Sequence, residues 1–145
     1  MFSKKILASR LSALRKATGI SQVKLGEALG ISQFAISKIE KGERAVSIEV
    51  LNAIADYFDV PADFLLGRGV FANWEDIMEH KDMVFSALKY DGMPEIITSG
   101  QLDECTLIRV FHSLFAAIII DGNSLTLRYN TTEEVMRSLG FLKDE

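Results

Sequence analysis

Polar and basic side chains cluster in the stretch from Ser32 to Lys41, where the serine is followed by QFAISKIEK. Ala35, Ile36 and Ile39 recur at helical spacing and predict a buried face. The side chains left to point elsewhere are Gln33, Phe34, Ser37, Lys38 and Lys41. Amide, hydroxyl and ammonium groups hydrogen-bond to base edges and phosphates, and an α-helix fits the DNA major groove. The stretch is therefore typical of a helix that reads DNA.

A short helix and a tight turn precede this stretch and would position it. Ser21 is a good N-cap for the first helix and Ser32 for the second, because a serine oxygen accepts an otherwise unpaired backbone N–H. Gly30 lies between them, and glycine readily adopts the left-handed conformation that ends a helix. Gly42 ends the second helix. The apolar residues predicted to bury the first helix and the turn are Val23, Leu25, Ala28, Leu29 and Ile31.

This helix–turn–helix resembles that of the lambda-repressor/Cro-like family of the xenobiotic-response-element (XRE) type. That family's pattern has Gln first, a small residue fifth, Gly ninth, Ile or Val fifteenth and an aliphatic residue eighteenth. The same places here hold Gln22, Gly26, Gly30, Ile36 and Ile39. The run ISKIEKGER, from Ile36 to Arg44, is similar to the family as well. The resemblance covers about Ser3 to Arg68 and implies an all-α DNA-binding domain of five helices.

One place departs from the family pattern. The fifth position usually holds Ala, and Gly26 is expected to cost roughly 1 kcal/mol of helix propensity while still permitting close contact between helices.

The resemblance also implies roles for individual side chains at the DNA. Gln33, in the first turn of the recognition helix, would contact adenine or another base edge, and Phe34 would touch a thymine methyl group. Ser37 and Lys38 lie one turn further on, where Lys38 would reach guanine or a phosphate. These residues would specify sequence.

Other residues would position the domain on the duplex. Gln22 resembles the family glutamine that binds phosphate and braces the first amide of the recognition helix, and Lys41 and Arg44 are expected to be phosphate clamps. An orienting ion pair between Arg15 and Glu40 is also expected, because family members often carry such a pair at these places.

The remaining elements of the first half follow from caps and periodicity. A first helix is predicted from about Ser3 to Ala17, and a fourth from the cap Ser47 to Phe58. Pro61 suits the start of a short fifth helix. Gly67-Arg68-Gly69 predicts a hinge, which gives a DNA-binding domain over 1–69 and a second domain over 70–145. The inward residues expected on helices one and four are Ile6, Leu7, Leu11, Leu14, Ile48, Leu51, Ile54, Ala55 and Phe58.

The second half has no recognised family and is predicted to be a small α+β domain. Amphipathic helices are expected over Trp74–Tyr90 and from Gln101 to about Leu114. Asp121-Gly122 lies between the apolar run 116–120 and the alternating run 125–129, which predicts a β-hairpin. A last helix is expected from Glu133 to Leu139.

Charge divides the chain in the same way. Residues 1–70 carry ten Lys and Arg against seven Asp and Glu, a balance of +3, and residues 71–145 carry six against thirteen, a balance of −7, which sum to −4. A basic front and an acidic rear suit a protein that meets phosphate with one domain. The apolar run Leu114–Ile120 is far shorter than the roughly 20 residues of a membrane helix. The single cysteine, Cys105, fits a reducing cytoplasm, and the N-terminus does not resemble a signal peptide.

Catalysis, metals and cofactors are not expected. His80, His112 and Cys105 make no recognised metal spacing, and Cys105 and His112 are predicted to be core or boundary residues. Neither Ser113 nor Ser124 lies in a motif that suggests a nucleophile.

The sequence therefore predicts a cytoplasmic regulator that binds an inverted-repeat operator in double-stranded DNA as a homodimer, with repression favoured over activation. The second domain is expected to supply the dimer. Two alternatives remain for it: sensing of a peptide or small-molecule effector, and binding of a partner protein, as in an antitoxin or anti-factor.

Overall fold

The computed structural model of the chain describes residues 3–99, 102–130 and 137. Over these residues it contains nine α-helices, one 3₁₀ helix and a two-stranded antiparallel sheet. The chain divides into two compact units, Met1–Arg68 and Gly69–Glu145.

Five helices form the first unit, as the sequence predicts. They are α1 (Lys4–Thr18), α2 (Gln22–Leu29), α3 (Gln33–Glu40), α4 (Ile48–Phe58) and α5 (Ala62–Leu66). Serine hydroxyls begin three of them: the Oγ atoms of Ser21, Ser32 and Ser47 each accept the backbone N–H three residues on, at 3.1 to 3.2 Å. These caps fix where the helices begin, so that Gln22 is the first residue of α2 and Gln33 is the first residue of α3.

The core of this unit is formed by one side of each long helix, and it includes Leu7, Leu11, Leu14, Leu25, Ile36, Ile39, Ile54 and Phe64. Three residues expected inside are outside. Val23 is 53% exposed and Ala28 is exposed, because Leu25 and Gly26 form the buried side of α2 and Val23 lies on the opposite side from Leu25. Ile48 is 76% exposed, since the buried part of α4 begins only at Ile54.

A buried arginine, which the apolar pattern does not predict, joins the first helix to the last. Arg10 is only 1% exposed. Its Nη1 donates to the backbone carbonyl of Phe64, and the guanidinium carbon lies 4.8 Å from the centre of the Phe64 ring. Arg10 thus satisfies a carbonyl of α5 and packs on the same residue's side chain.

The second unit is α+β, as predicted. A 3₁₀ helix (Gly69–Asn73) precedes α6 (Trp74–Glu79), α7 (Lys81–Tyr90), α8 (Glu95–Thr98) and α9 (Glu104–Leu114). The strands β1 (Phe115–Asp121) and β2 (Ser124–Tyr129) follow as a hairpin whose register pairs Ile118 with Leu127 and Ile120 with Leu125. None of the helices in the described part of the chain is long and apolar enough to cross a membrane.

The helices of this unit differ in detail from the sequence prediction. The single helix expected over Trp74–Tyr90 is wrong, because His80 leaves the helical conformation (φ −107°, ψ 27°) and separates α6 from α7. Ile77 and Val84 are both buried seven residues apart, a spacing that fits one continuous helix as well as two short ones. The helix expected from Gln101 begins at Glu104 instead, and α8 was not expected. The helix predicted over 133–139 lies outside the described residues except for Arg137, which is helical.

Candidate nucleic-acid interface

Helix α3 turns the predicted DNA-contacting side chains away from the core. Ala35, Ile36 and Ile39 are buried and hold the helix in the unit. Gln33 and Lys41 are exposed, and Phe34 is 65% exposed, so its ring is not part of the core. Ser37 and Lys38 are partly exposed, and Arg44 is exposed in the loop that follows α3. An apolar ring and several polar groups therefore share an accessible helix surface.

The turn that aims α3 depends on a close backbone approach at Gly26. Its carbonyl accepts the N–H of Ile31 at 2.9 Å, after Gly30 has adopted a left-handed conformation with φ 73°. A Cβ atom added to Gly26 would lie 2.7 Å from the carbonyl oxygen of Ile31, closer than nonbonded atoms approach. The sequence predicts that Gly26 permits close contact between helices. In the structure the Ile31 carbonyl lies so close to Gly26 that this backbone geometry leaves no room for a Cβ atom.

A chain of side-chain hydrogen bonds runs from α1 to the start of α3. Arg15 Nε donates to both carboxylate oxygens of Glu40, at 2.8 and 3.0 Å. Gln22 Nε2 donates to Glu40 Oε2 at 3.1 Å, and Gln33 Nε2 donates to Gln22 Oε1 at 2.9 Å. Each residue therefore restricts the orientation of the next, and the Gln33 amide lies at the exposed end.

The two glutamines keep hydrogen-bonding capacity beyond this chain. An amide carries two N–H donors and one carbonyl acceptor. Gln33 uses one N–H on Gln22, which leaves the other N–H and the oxygen, the two groups that a bidentate contact with adenine requires. Gln22 uses one N–H on Glu40 and its oxygen on Gln33, which leaves one N–H for a phosphate.

The family resemblance implies that Gln22 braces the first amide of the recognition helix, and the sequence carries a further signal for a link between the two glutamines. Each of the two follows a capping serine, so the dipeptide Ser-Gln occurs at 21–22 and again at 32–33, at the first position of α2 and of α3. Two long amides at the same place on two helices that pack together are well placed to meet.

A second set of contacts involves Glu43, which was not among the expected interface residues. Lys38 Nζ lies 2.8 Å from Glu43 Oε2 and 5.4 Å from the centre of the Phe34 ring. The hydrogen bond from Lys38 and its positive charge lower the pKa of the Glu43 carboxyl. The ammonium group therefore has a carboxylate partner and an aromatic face within reach.

Groups with other chemistry do not assemble into a site within the described ranges. No set of three or more His, Cys, Asp and Glu side chains there could hold a metal ion. Cys105 is buried in α9, and burial raises the pKa of its thiol. His112 lies on the same helix, and its ring stacks on Phe71 with centroids 5.3 Å apart.

Comparison with known proteins agrees with this geometry. The family described as helix-turn-helix matches residues 11–65. YazB of Bacillus subtilis, an uncharacterized regulator of the helix-turn-helix type, is 37% identical over 60 residues, which cover 41% of this chain and 87% of that protein. The transcriptional regulator AnsR, also of Bacillus subtilis, is 41% identical over 59 residues, covering 41% of this chain and 51% of AnsR.

Longer relatives match as well. The transcriptional regulator PrpR of Mycobacterium tuberculosis is 27% identical over 119 residues, or 79% of this chain, which spans only 23% of that protein. A putative transcriptional regulatory protein of Pyrococcus furiosus is 40% identical over 60 residues, covering 41% of this chain and 19% of its own length. No solved structure matches the chain.

Proposed function

Because this chain belongs to the helix-turn-helix family of transcriptional regulators, of the XRE type, we propose that it binds an inverted-repeat operator as a homodimer and represses transcription. The observation that carries the proposal is the hydrogen-bonded chain from Arg15 to Gln33. It holds an amide at the exposed start of α3 with one donor and one acceptor available. A side chain that is already oriented loses less conformational entropy when it binds a base edge.

Sequence reading is assigned to the accessible face of α3. Gln33 contacts adenine through its second N–H and its oxygen. Phe34, 65% exposed, contacts a thymine methyl group, and Lys38 contacts guanine one turn further along. Ser37 lies on the same face and donates or accepts at a neighbouring base.

Positioning on the duplex is assigned to residues at the ends of α2 and α3. Gln22 donates its remaining N–H to a phosphate oxygen. Lys41, exposed at the end of α3, and Arg44, exposed in the next loop, neutralise phosphates on either side of the groove. Such contacts give affinity that falls with salt and does not depend on sequence.

Dimer formation is assigned to the second unit. A two-stranded hairpin is marginal alone in water, and its strands have no further strand partner among the described residues. β1 carries Ile118, Ile119 and Ile120 in succession, and Ile119 is 42% exposed. The free edge of β1 carries neither Lys nor Pro, and such an edge pairs readily with another strand. In a homodimer with two-fold symmetry, the hairpin of the second copy provides that strand.

Repression is the simplest consequence of such binding, because occupancy of a promoter is enough to block it. Activation requires a further contact with the transcription machinery.

The test is a selection of full-length protein against a pool of randomised duplexes, with the mass of the free protein measured by sedimentation. We expect an inverted repeat with half-site centres about 10 base pairs apart, or a multiple of one helical turn, and a dimer. The variant Ile119→Lys should become monomeric and select the same half-site with lower affinity. A single half-site bound by a monomeric wild-type chain would contradict the dimer, and the absence of any selected sequence would contradict operator binding.

A further inference from the structure

The end of helix α3 fixes the position of Glu43 relative to Lys38. Gly42 adopts a left-handed conformation with φ 74°, and its N–H bonds to the carbonyl of Ile39 at 3.0 Å. The N–H of Glu43 bonds to the carbonyl of Lys38, also at 3.0 Å. This pair of hydrogen bonds is the Schellman motif, which brings the residue after the glycine back beside the last turn of the helix.

Schellman motifs frequently place an apolar contact between these two positions. Here the positions hold opposite charges, and Lys38 Nζ lies 2.8 Å from Glu43 Oε2. The ammonium group also lies 5.4 Å from the Phe34 ring centre, within the range of a cation–π contact. The backbone conformation at the end of α3 thus places the Glu43 carboxylate beside Lys38. Phe34, one turn earlier on α3, contacts the same lysine.

An unpaired lysine on the recognition helix would act differently. Its ammonium group is a strongly hydrated point charge on a flexible stem, and any phosphate within reach would attract it. That attraction adds affinity for all DNA and none for a particular sequence. A lysine paired with a carboxylate adds no net positive charge to the DNA-facing surface. The pairing also restricts the orientation of the two N–H donors that remain.

We propose that Glu43 is a positioning residue for specificity: it holds Lys38 over Phe34 so that the lysine reads a base edge instead of binding phosphates. The inference rests on the proposed function, since it assigns a regulator of base reading at the same interface. The unit made of Phe34, Lys38 and Glu43 then recognises a guanine beside a thymine methyl group, and the pairing of Lys38 with Glu43 weakens binding to unrelated sequences because it keeps the ammonium group from their phosphates.

An exposed ion pair with no role in recognition is the competing explanation. The Lys38 and Glu43 side chains are 39% and 50% exposed, and such pairs contribute little to folding stability. A specificity measurement separates the two explanations, because an inert pair leaves the preference among DNA sequences unchanged.

The experiment measures dissociation constants of full-length protein for its selected operator and for an unrelated duplex of equal length, at several salt concentrations. The variants are Glu43→Gln, Lys38→Met and the double substitution. Glu49→Gln is the matched control, because Glu49 is an exposed carboxylate in the first turn of α4. Circular dichroism of each variant verifies the fold.

For Glu43→Gln we expect tighter binding to the unrelated duplex, a salt slope steeper by about one, and a specificity ratio about tenfold lower. Glu49→Gln should leave the ratio unchanged, and Glu43→Gln should no longer alter it once Lys38 is Met. The role of Glu43 would be overturned if Glu43→Gln left the specificity ratio unchanged, or if it lowered the ratio equally in the wild-type and Lys38→Met backgrounds. Either result would leave the proposed function standing. A wild-type chain that binds both duplexes equally would overturn the proposed function, and this inference with it.

Discussion

Gln33 donates a hydrogen bond to Gln22 across the turn between α2 and α3, with 2.9 Å between Nε2 and Oε1. Both residues follow capping serines, so the contact joins the first positions of two helices. Gln22 is in turn held by Glu40, which receives two hydrogen bonds from Arg15. The orientation of an exposed amide at the proposed DNA surface therefore depends on a residue of α1.

Substitution of Gln33 tests whether this amide reads a base. Gln33→Ala should lower affinity for the selected operator by about 1–3 kcal/mol and relax preference at one base pair in each half-site. Its affinity for unrelated duplex should stay near that of the wild type. The measurement is a titration of operator duplexes that differ at single positions. Equal losses on operator and unrelated DNA would rule out a base-reading role.

The coupling between the glutamines has its own test. Gln22→Ala removes a phosphate contact and the brace on Gln33, so it should weaken the operator more than unrelated DNA. In a double-mutant cycle the two substitutions should couple by about 0.5–3 kcal/mol, because they remove one shared hydrogen bond. Additive losses in the cycle would show that the contact in the free protein has no counterpart on DNA.

Lys41 is expected to act on every sequence alike. Lys41→Ala should weaken operator and unrelated duplex by similar factors and reduce the salt slope by about one, since one fewer counterion is released. Lys89→Ala, which removes an exposed lysine from α7 in the second unit, is the matched control and should change neither quantity. A change in base preference in Lys41→Ala would instead place this lysine among the reading residues.

Gly26 sets two physical effects against each other. Replacing it by alanine gains roughly 1 kcal/mol of helix propensity. The added Cβ, however, would lie 2.7 Å from the Ile31 carbonyl oxygen, and backbone atoms move only at a cost. We expect Gly26→Ala to lower the free energy of unfolding by about 1–3 kcal/mol, the usual range for an overpacked position.

Urea unfolding followed by circular dichroism measures this difference. Ala28→Gly provides the control, because Ala28 is exposed on the same helix and should lose only the propensity of about 1 kcal/mol. If Gly26→Ala were more stable than the wild type by that amount, the turn would adjust freely and the close approach would impose no constraint.

Asp103 makes the second unit sensitive to acid. Its carboxylate accepts the backbone N–H of Thr106 at 3.0 Å and the Thr106 hydroxyl at 2.8 Å, and these hydrogen bonds lower the pKa of the Asp103 carboxyl. The folded state thus favours the charged form, and the resulting stability is present at neutral pH and lost as pH falls below about 4. Asp103→Ala should cost about 1 kcal/mol at pH 7 and less at pH 3.

Fluorescence of Trp74, the single tryptophan, reports this unit because its side chain is buried there. Asp103→Asn is the control: it retains a good cap without the charge, so its advantage over Asp103→Ala should not depend on pH. An Asp103→Ala penalty that is the same at pH 7 and pH 3 would contradict the role of the charge.

Local chemistry accounts for what the sequence predicted well. Ser21, Ser32 and Ser47 cap helices because a hydroxyl and a nearby N–H suffice. The hairpin signal at Asp121-Gly122 is equally local: Asp121 pairs with Ser124, and the chain turns at Gly122-Asn123, where Gly122 has a positive φ of 60°. The five-helix fold and the family follow from such signals together with the pattern from Gln22 to Ile39.

Non-local contacts account for what it missed. The burial of Arg10 depends on a carbonyl 54 residues away, and the partner of Lys38 is set by how α3 ends. The break between α6 and α7 at His80 cannot be predicted from the apolar pattern, because the seven-residue spacing of the buried residues Ile77 and Val84 fits one helix as well as two. Val23 and Ile48 are apolar yet exposed, and periodicity alone does not reveal which side of a short helix meets its neighbours.

The bond from Arg10 to Phe64 also bears on synthesis of the protein. A ribosome that adds 5–20 residues per second needs roughly 3 to 11 seconds to progress across the 54 residues between them. Until then the arginine on α1 has no α5 carbonyl to bind, and the nascent first unit stays incomplete although its helix–turn–helix has already been translated. Completion of the core beneath the helix–turn–helix therefore awaits a helix that lies outside the proposed contact surface.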